Sequence, residues 1–310
     1  MVRPTVRGAR VGGAKTADRG PGARVRKPHL HYYLIPATLY LVALSLFPLI
    51  QLFRLALSDV TPANLHGDWN FVGLSNFIQG FTVGDLGSSL VRTLVFVVFV
   101  TLLGMVGGAA AAIALRDSGR WSSWLMALMV FVWALPPVIN GSVWKFLLAQ
   151  DGLANLVIRA FGSSGFPFLY SETFALASIA FVNAWALIPF NALVFRASIL
   201  GIDSEVFEAA QIDGAKPSQE LRYILLPLMK PTALVLLVLT IVNAFRSFDF
   251  IYVMTRGGPG ASTQTLPYLS FQQAFVSYDF SGGAATSVLA LLLVLILAAV
   301  YSKAVLKEEE

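Results

Sequence analysis

Long intervals without a charged residue are the feature of this sequence that most restricts its fold. Residues 28–53, 93–115, 121–144, 173–195 and 280–302 contain no Asp, Glu, Lys or Arg, and each interval is at least 23 residues long. An α-helix rises about 1.5 Å per residue, so each interval can cross a hydrocarbon layer about 30 Å thick. Only 13% of the residues are charged, which is far below the share in a soluble domain. The sequence therefore predicts an all-α, polytopic membrane protein.

A sixth transmembrane helix is predicted from the shorter apolar run 231–245, because apolar residues resume after Arg246. The six predicted spans lie within a membrane domain of residues 29–306 and cover about residues 33–56, 90–115, 122–147, 174–197, 231–252 and 284–305. Residues 257–278 are also uncharged, but they are rich in Gly, Pro, Ser, Thr and Gln. We expect them to form a surface loop or a partly re-entrant segment.

The distribution of Lys and Arg predicts that both termini are cytoplasmic. Sixteen of the 22 basic residues fall in the N-terminal tail, in alternate loops and at the C-terminus, and basic loops favour the cytoplasmic side. Residues 1–28 are predicted to be a basic, disordered tail, and residues 307–310 a short acidic tail. Attraction to anionic membrane lipid explains the basic segments, and no nucleic-acid-binding module is recognisable, so we expect no nucleic-acid partner.

The stretch EAAQIDGAKPSQELRYILLP, residues 208–227, interrupts the apolar chain on the predicted cytoplasmic side, within a loop of residues 199–230. It has the signals of two short helices. Asp203 or Ser204 is placed to cap the first helix, and Gly214 to end it in a left-handed conformation. Pro217 suits the first turn of a second helix, which is expected to end at Leu226 before two prolines lead back into the membrane.

The first of these helices carries a narrow stripe of mostly small residues. Phe207, Ala210, Gln211 and Gly214 are spaced so that they share one helix face. A short helix with small residues and carboxylates can lie in the groove of a partner protein. Packing on the protein's own cytoplasmic loops is an equally good interpretation of the spacing alone.

The sequence of this insert resembles the EAA loop of the membrane subunits of ATP-binding-cassette (ABC) importers. The resemblance rests on Glu208-Ala209-Ala210, on Gly214, and on Ile224-x-Leu226-Pro227. Four further segments are similar to the carbohydrate branch of these permeases, the maltose and glycerol-phosphate type. They are NFVGLSNF (70–77), LPPVINGSVWKFLL (135–148), FDFIYVMTRGGPG (248–260) and GGAATSVLALLLVL (282–295).

The resemblance implies the transmembrane-domain fold of type I ABC importers and a coupling helix that lies in a cleft of a separate ATPase subunit. Glu208 would pair there with a basic group. The family usually has Ile-Pro before this helix, where this chain has Ile202-Asp203. The implied ATPase-coupling residues are Phe207, Glu208, Ala209, Ala210, Gln211, Asp213, Gly214, Ala215, Leu226 and Pro227.

The resemblance also implies a set of partners. They are two ATP-binding ATPase subunits, which would hold ATP and Mg²⁺, an extracytoplasmic solute-binding protein, and a second, homologous permease in a heterodimer. The segment 248–260 is more similar to the first permease of such a pair. The implied location is the cytoplasmic membrane of a bacterium or archaeon.

A sugar or sugar-like substrate would need aromatic ring faces and hydrogen-bonding groups inside the spans. Each candidate also has a purely structural interpretation, since Asn often bonds between helices and aromatic rings often pack there. Arg246 and Asp249, three residues apart, could pair with each other. The candidate substrate-binding residues are Asn140, Asn183, Trp185, Asn191, Asn243, Phe245, Phe248, Asp249 and Tyr252.

Two other classes of function were weighed against an importer subunit. A stand-alone, ion-coupled secondary transporter would be expected to show inverted repeats and buried carboxylates, and the spans contain almost no acidic residue. A membrane enzyme is not supported by the three histidines, which form no HExxH or Ser-His-Asp pattern, or by a chain without cysteine. Neither GxxxxGKS nor GxxxxGKT occurs, so the chain is not itself the ATPase, and we expect it to hold no metal or cofactor.

Overall fold

The computed structural model describes residues 31–116 and 119–306, and most of these residues are helical. The helices are α1 (His31–Ala56), α2 (Ser75–Thr82), α3 (Leu86–Ala114), α4 (Arg120–Ala134), α5 (Pro137–Leu147), α6 (Leu153–Ala160), α7 (Ala175–Leu200), α8 (Ser204–Ile212), α9 (Pro217–Glu220), α10 (Leu226–Phe245), α11 (Asp249–Met254), α12 (Leu266–Phe271) and α13 (Phe280–Leu306). Two short strands, β1 (Ser58–Asp59) and β2 (Asn70–Phe71), pair antiparallel. The tails predicted at residues 1–28 and 307–310 lie outside the described residues.

Within the described ranges, five helical stretches are long and apolar enough to span a membrane. They are Thr38–Ala56, Leu86–Ala114, Ala175–Leu200, Pro217–Met254 and Phe280–Ala299. Helices α4 and α5 make a sixth candidate if they are counted as one broken span. The backbone from Leu49 onward forms one compact unit, and the described part of the other unit, residues 31–48, is the first part of α1.

The predicted third span, 122–147, is bent rather than straight. Helices α4 and α5 meet at an angle of 101° around Leu135 and Pro136. A proline has no backbone N–H to donate, and it disfavours helical geometry in the residue before it. Since Pro136 and Pro137 follow one another, Leu135 and Pro136 are both extended, with ψ of 134° and 136°. The proline pair therefore ends one helix and starts the next.

The sequence predicts that the second helix of the charged insert ends at Leu226, but the helix continues past this residue. Helix α9 continues through a π-helical turn, Leu221–Leu225, directly into α10. In a regular α-helix Pro227 would leave the carbonyl of Tyr223 without a donor and would collide with it. The π turn avoids this collision because its hydrogen bonds are longer by one residue, as in the bond from Leu226 N–H to Leu221 O. The chain thus re-enters the membrane domain without a break.

Helices α3 and α7 pack closely against each other because α3 carries glycines at the contact. A Cβ atom added at Gly107 would lie 2.6 Å from Ile188 Cδ1, and one at Gly108 would lie 2.4 Å from Asn191 Cβ. Small residues permit this close approach between helices in a membrane. Around this helix pair, the largest apolar cluster joins buried side chains of α3, α7, α10 and α11.

Of the two expectations for residues 257–278, a surface loop does not describe residues 263–269, which are buried or half-buried, and the alternative of a partly re-entrant segment stays a prediction. Thr263, Gln264 and Thr265 are buried, and α12 begins at Leu266. Some polar groups of this segment find partners inside the protein: the Thr263 hydroxyl donates to Gly258 O at 2.9 Å, and Leu266 N–H donates to Thr93 Oγ1 at 2.8 Å. Three other side-chain atoms, the hydroxyls of Ser262 and Thr265 and Gln264 Oε1, are buried without a hydrogen-bond partner among the described residues. Satisfied polar groups can be buried, so a composition typical of loops forms part of the core here.

Candidate functional site

The charged insert of residues 208–227 forms the predicted helix and glycine turn. Asp203 takes the N-cap position of α8 with an extended backbone, although its side chain makes no capping hydrogen bond. At the other end Gly214 has φ of +69°, which confirms the predicted left-handed conformation. Gly214 N–H donates to Gln211 O at 3.1 Å and Ala215 N–H donates to Ala210 O at 2.9 Å. These two bonds are a Schellman motif, which satisfies the last carbonyls of the helix.

Helix α8 lies on the surface with two unlike faces. No residue of α8 is fully buried, but Phe207 packs against an apolar cluster that includes Phe195 and Leu225, and Ala210 is half-buried. The predicted stripe of small residues is thus divided between an inner and an outer face. The exposed residues of the outer face and of the turn that follows it are Glu205, Glu208, Ala209, Gln211, Ile212, Asp213 and Gly214.

The outer face of α8 combines charge with one large apolar side chain. Glu205 and Glu208 lie toward the N-terminal part of the helix, where the helix dipole favours carboxylates. Ile212 is 86% exposed, near the turn at Gly214. Of the remaining residues implied for coupling, Ala215 is half-buried, whereas Leu226 and Pro227 are exposed at the start of α10 and are not part of α8. The face is therefore available for contact with a partner protein.

Two contacts, the Arg116–Glu220 ion pair and the packing of Phe207, hold this insert on the membrane domain, and one hydrogen bond joins the ends of α3 and α7 beside it. Arg116, just after α3, forms an ion pair with Glu220 at the end of α9. The Arg196 side chain on α7 donates from Nε to Leu115 O at 2.7 Å. With the packing of Phe207, the ion pair connects the insert to the ends of α3 and α7.

A polar cavity of about 300 Å³ forms at two breaks in the helices. One break separates α4 from α5, and the other separates α10 from α11 at residues 246–248. The cavity is lined by Trp133, Leu135, Pro137, Asn140, Asn183, Ala186, Leu187, Asn243, Arg246, Ser247, Asp249 and Phe250. Helix breaks inside a membrane are tolerated where they line a cavity, because the freed backbone groups need polar partners.

Four of the nine predicted substrate residues meet in this cavity: Asn140, Asn183, Asn243 and Asp249. The Asn183 amide donates to the Ser247 hydroxyl, and the Asn243 amide donates to Leu239 O at 2.8 Å. Both amides keep their carbonyl oxygens as further acceptors. The cavity therefore offers amide, hydroxyl and carboxylate groups from four different helical segments.

Arg246 and Asp249 do not form the ion pair that their spacing allows, although both line the cavity. In the described part of the chain the ion pairs are Arg116–Glu220 and Arg159–Asp151. Helix α10 ends at Phe245 and α11 begins at Asp249, so the two charged residues do not share one helix face. The cavity thus contains one positive and one negative side chain that are not paired with each other.

The other predicted substrate residues lie outside the lining of the cavity. Asn191 is buried and accepts a hydrogen bond from the Thr240 hydroxyl at 3.2 Å. Phe245 is buried in the apolar core, and Trp185 packs edge-on against Trp144 with ring centroids 5.2 Å apart. Phe248 and Tyr252 stack on each other in a group of aromatic rings.

Sequence reasoning missed Trp133 and Ser247 as cavity residues. Trp133 lies at the end of α4, and Ser247 lies in the break after α10. The available signal was position, since each residue adjoins a helix break. A search for polar residues inside the predicted spans cannot detect Trp133, whereas Ser247 lies within the predicted span 231–252.

Comparison with known proteins identifies relatives over most of the chain. The family described as "Binding-protein-dependent transport system inner membrane component" matches residues 104–307. The trehalose/maltose transport system permease protein MalF of Thermococcus litoralis is 30% identical over 283 residues, which cover 90% of this chain and 95% of that protein. The sn-glycerol-3-phosphate transport system permease protein UgpA of Yersinia pestis is 32% identical over 270 residues, 86% of this chain and 90% of that protein.

A solved structure shows the same fold. It is a bacterial ABC transporter involved in the import of the acidic polysaccharide alginate, with a TM-score of 0.74 at 20% sequence identity. The match covers 88% of this chain and 95% of the chain in that structure. A second structure of a bacterial alginate ABC transporter, in complex with an alginate pentasaccharide-bound periplasmic protein, also has a TM-score of 0.74.

Proposed function

Because the chain belongs to the family of binding-protein-dependent transport system inner membrane components, we propose that its polar cavity lies on the path of a sugar or sugar-like solute. The chain is a multi-pass membrane permease of an ABC importer, not a stand-alone secondary transporter. Its relatives include permeases of trehalose/maltose and of sn-glycerol-3-phosphate transport systems. These names support a polyhydroxylated substrate.

The cavity at the two helix breaks is the observation that carries this proposal. A polyhydroxylated solute needs many hydrogen-bonding partners in a small volume, and Asn140, Asn183, Asn243 and Ser247 provide both donors and acceptors. Arg246 and Asp249 add charged groups that bind hydroxyls more strongly than neutral groups do. Interrupted helices near the middle of a transporter are a common way to build such a site.

Helix α8 is the proposed contact with the ATPase subunit. Its exposed carboxylates suit a basic partner surface, and Ile212 provides an apolar anchor. Glu208 pairs with a basic group of the partner under this proposal, while Ala209 and Gly214 permit close approach. No catalytic residue and no cofactor belongs to this chain, and ATP and Mg²⁺ bind to two partner ATPase subunits.

The complete importer has further proposed components. A second, homologous permease completes the pathway as a heterodimer, and an extracytoplasmic solute-binding protein delivers the substrate. The complex resides in the cytoplasmic membrane of a bacterium or archaeon, in contact with its lipids. ATP binding draws the ATPase subunits together, α8 transmits this movement, and the pathway opens to the other side of the membrane.

Reconstitution of the importer tests this proposal. The chain is placed in proteoliposomes with its second permease, ATPases and binding protein, and uptake of radiolabelled maltose, trehalose and sn-glycerol 3-phosphate is measured with and without ATP. We expect ATP-dependent uptake of at least one of these probes. Uptake that is driven by an ion gradient and indifferent to ATP would contradict the proposal.

A charge reversal on α8 tests the coupling role in the same assay. We expect Glu208→Lys to lower uptake at least about thirtyfold, because breaking a charge pair at an interface costs about 2–5 kcal/mol. The amount of protein inserted in the membrane should not change, since Glu208 is exposed. Ser218→Lys, which adds a positive charge at an exposed position on α9, is the control. Normal uptake by Glu208→Lys would contradict the coupling role.

A further inference from the structure

Four aromatic side chains form a continuous series that begins beside the polar cavity. We call Phe248, Tyr252, Phe271 and Phe275 the aromatic ladder. The ring centroids of Phe248 and Phe271 are 4.9 Å apart, and those of Phe271 and Phe275 are 5.5 Å apart. The ring of Tyr252 contacts two members of the series, because its centroid lies 5.2 Å from that of Phe248 and 5.6 Å from that of Phe271. Each ring is therefore in contact with the next, and no gap interrupts the series.

The ladder leads from the surface to a residue next to the cavity lining. Phe275 is 67% exposed and Tyr252 is 41% exposed, whereas Phe248 and Phe271 are half-buried. At the inner end, the residues on either side of Phe248 in the chain, Ser247 and Asp249, both line the cavity. The backbone at the inner end of the ladder is thus shared with the proposed substrate site, although the ring of Phe248 is not part of the cavity lining.

Core packing does not explain the exposed part of the ladder. Tyr268, which packs against Phe248 and Phe271 from inside, is 7% exposed and belongs to the apolar core. Phe146, an exposed aromatic residue on α5, is 75% exposed and has no ring partner in the described part of the chain. The ladder differs from both, because its rings contact one another while two of them remain exposed.

Polar groups accompany the ladder. Gln272 directly follows Phe271 and accepts a hydrogen bond from the Gln264 side chain through its Oε1, so its amide protons remain for another acceptor. The hydroxyl of Tyr252 is a second polar group at the ladder. Phe275 lies in the π-helical turn Gln272–Val276, and such turns occur frequently at functional sites.

We propose that the aromatic ladder is an entry site for a saccharide with pyranose rings. The C–H faces of a pyranose ring stack on aromatic faces, and its equatorial hydroxyls point outward to amides such as that of Gln272. The exposed rings of Phe275 and Tyr252 both contact Phe271, so a saccharide can stack first on Phe275 and then on Tyr252 as it moves inward. An open-chain polyol phosphate has no such ring face. This inference rests on the proposed function, and it adds the site of entry and the chemical class of the substrate.

Substitutions in the ladder test the inference in the reconstituted importer. We expect Phe275→Leu and Phe271→Leu to lower ATP-dependent uptake of maltose and trehalose about three- to tenfold at low substrate concentration, the effect of one lost aromatic contact. Phe275→Trp should retain uptake, because it keeps a ring face at the same place. Phe146→Leu removes an exposed ring outside the ladder and should leave uptake unchanged.

The outcomes separate this inference from the proposed function. If the unmodified importer carries maltose or trehalose and Phe275→Leu behaves like Phe146→Leu, the ladder is not an entry site, and the proposed function stands. If the importer carries sn-glycerol 3-phosphate alone, the substrate class inferred from the ladder is wrong. ATP-dependent uptake of none of the three probes would overturn both. Since Phe275 is exposed, its variants should fold normally, and the yield of purified complex checks this.

Discussion

Two glycine turns with left-handed backbones lie toward opposite ends of α3 and have different surroundings. Gly214 lies between α8 and α9, and the Arg116–Glu220 ion pair connects α9 to the C-terminal end of α3. Nothing lies within 4 Å of a Cβ atom added at Gly214. Gly257 precedes α12, whose first N–H bonds to Thr93 in the N-terminal part of α3. A Cβ atom added at Gly257 would lie 2.6 Å from Tyr268 Cε1.

This difference indicates which of the two turns is packed by its own chain and which leaves exposed groups for a partner protein. The segment after Gly257 is packed and hydrogen-bonded by its own protein, and Tyr268 is buried against it. The segment before Gly214 presents carboxylates and an exposed isoleucine that nothing in the described part of the chain covers. A substitution at Gly257 should therefore damage the fold, and one at Gly214 should damage the contact with a partner.

The largest effect is expected at Gly257. Gly257→Ala should lower the free energy of unfolding by about 2–5 kcal/mol, the sum of a strained left-handed backbone and an overpacked contact with Tyr268. Thermal unfolding of the purified importer in detergent measures this change. Gly162→Ala is the matched control, because Gly162 has φ of +87°, close to the +84° of Gly257, with nothing within 4 Å of an added Cβ. Equal unfolding temperatures for the two variants would show that the Tyr268 side chain moves aside and that no overpacked contact destabilises Gly257→Ala.

A smaller effect, mainly on function, is expected at Gly214. Gly214→Ala strains the left-handed turn by about 1–2 kcal/mol, which frays the end of α8 and should lower uptake about tenfold. The unfolding temperature should fall no more than in Gly162→Ala, because both glycines are left-handed and no neighbour is displaced at either. Gly119→Ala is the control, since Gly119 also adjoins a helix in open space but has φ of −67°. If Gly214→Ala instead lowered the unfolding temperature strongly and left uptake unchanged, Gly214 would serve the fold and not the contact with a partner.

The same comparison explains how much the sequence predicts. The helix and left-handed turn at α8 depend on residues within one short segment, so rules about capping and glycine are sufficient. The burial of residues 263–269 depends on partners such as Thr93 on α3, far away in the sequence. Composition contains no information about such partners, so the sequence predicts either a surface loop or a partly re-entrant segment here and does not decide between them.

The lining of the cavity also depends on partners that the sequence does not reveal, and two residues of one helix illustrate this. Asn183 and Asn191 are eight residues apart on α7 and identical in type, and both were predicted to contact substrate. At about 100° per residue they point about 80° apart around the helix. Asn183 lines the cavity, while Asn191 is buried against Thr240 and the glycines of α3. The sequence identifies the polar residues inside spans, but which of them meet depends on how the helices pack.

The smallest effect is expected at the ion pair that connects the insert to α3. Because 37% of the Arg116 side chain is exposed, its pair with Glu220 should contribute at most about 1 kcal/mol to stability. Arg116→Gln, Glu220→Gln and the double variant form a double-mutant cycle, and non-additive unfolding temperatures would measure the pair itself. The pair Arg159–Asp151, whose side chains are 42% and 92% exposed, is the control and should show less coupling. We expect Arg116→Gln to lower uptake by more than Arg159→Gln, because Arg116 helps to position the insert that contains α8. Equal uptake by these two variants would show that the packing of Phe207 alone is sufficient to hold α8 in place.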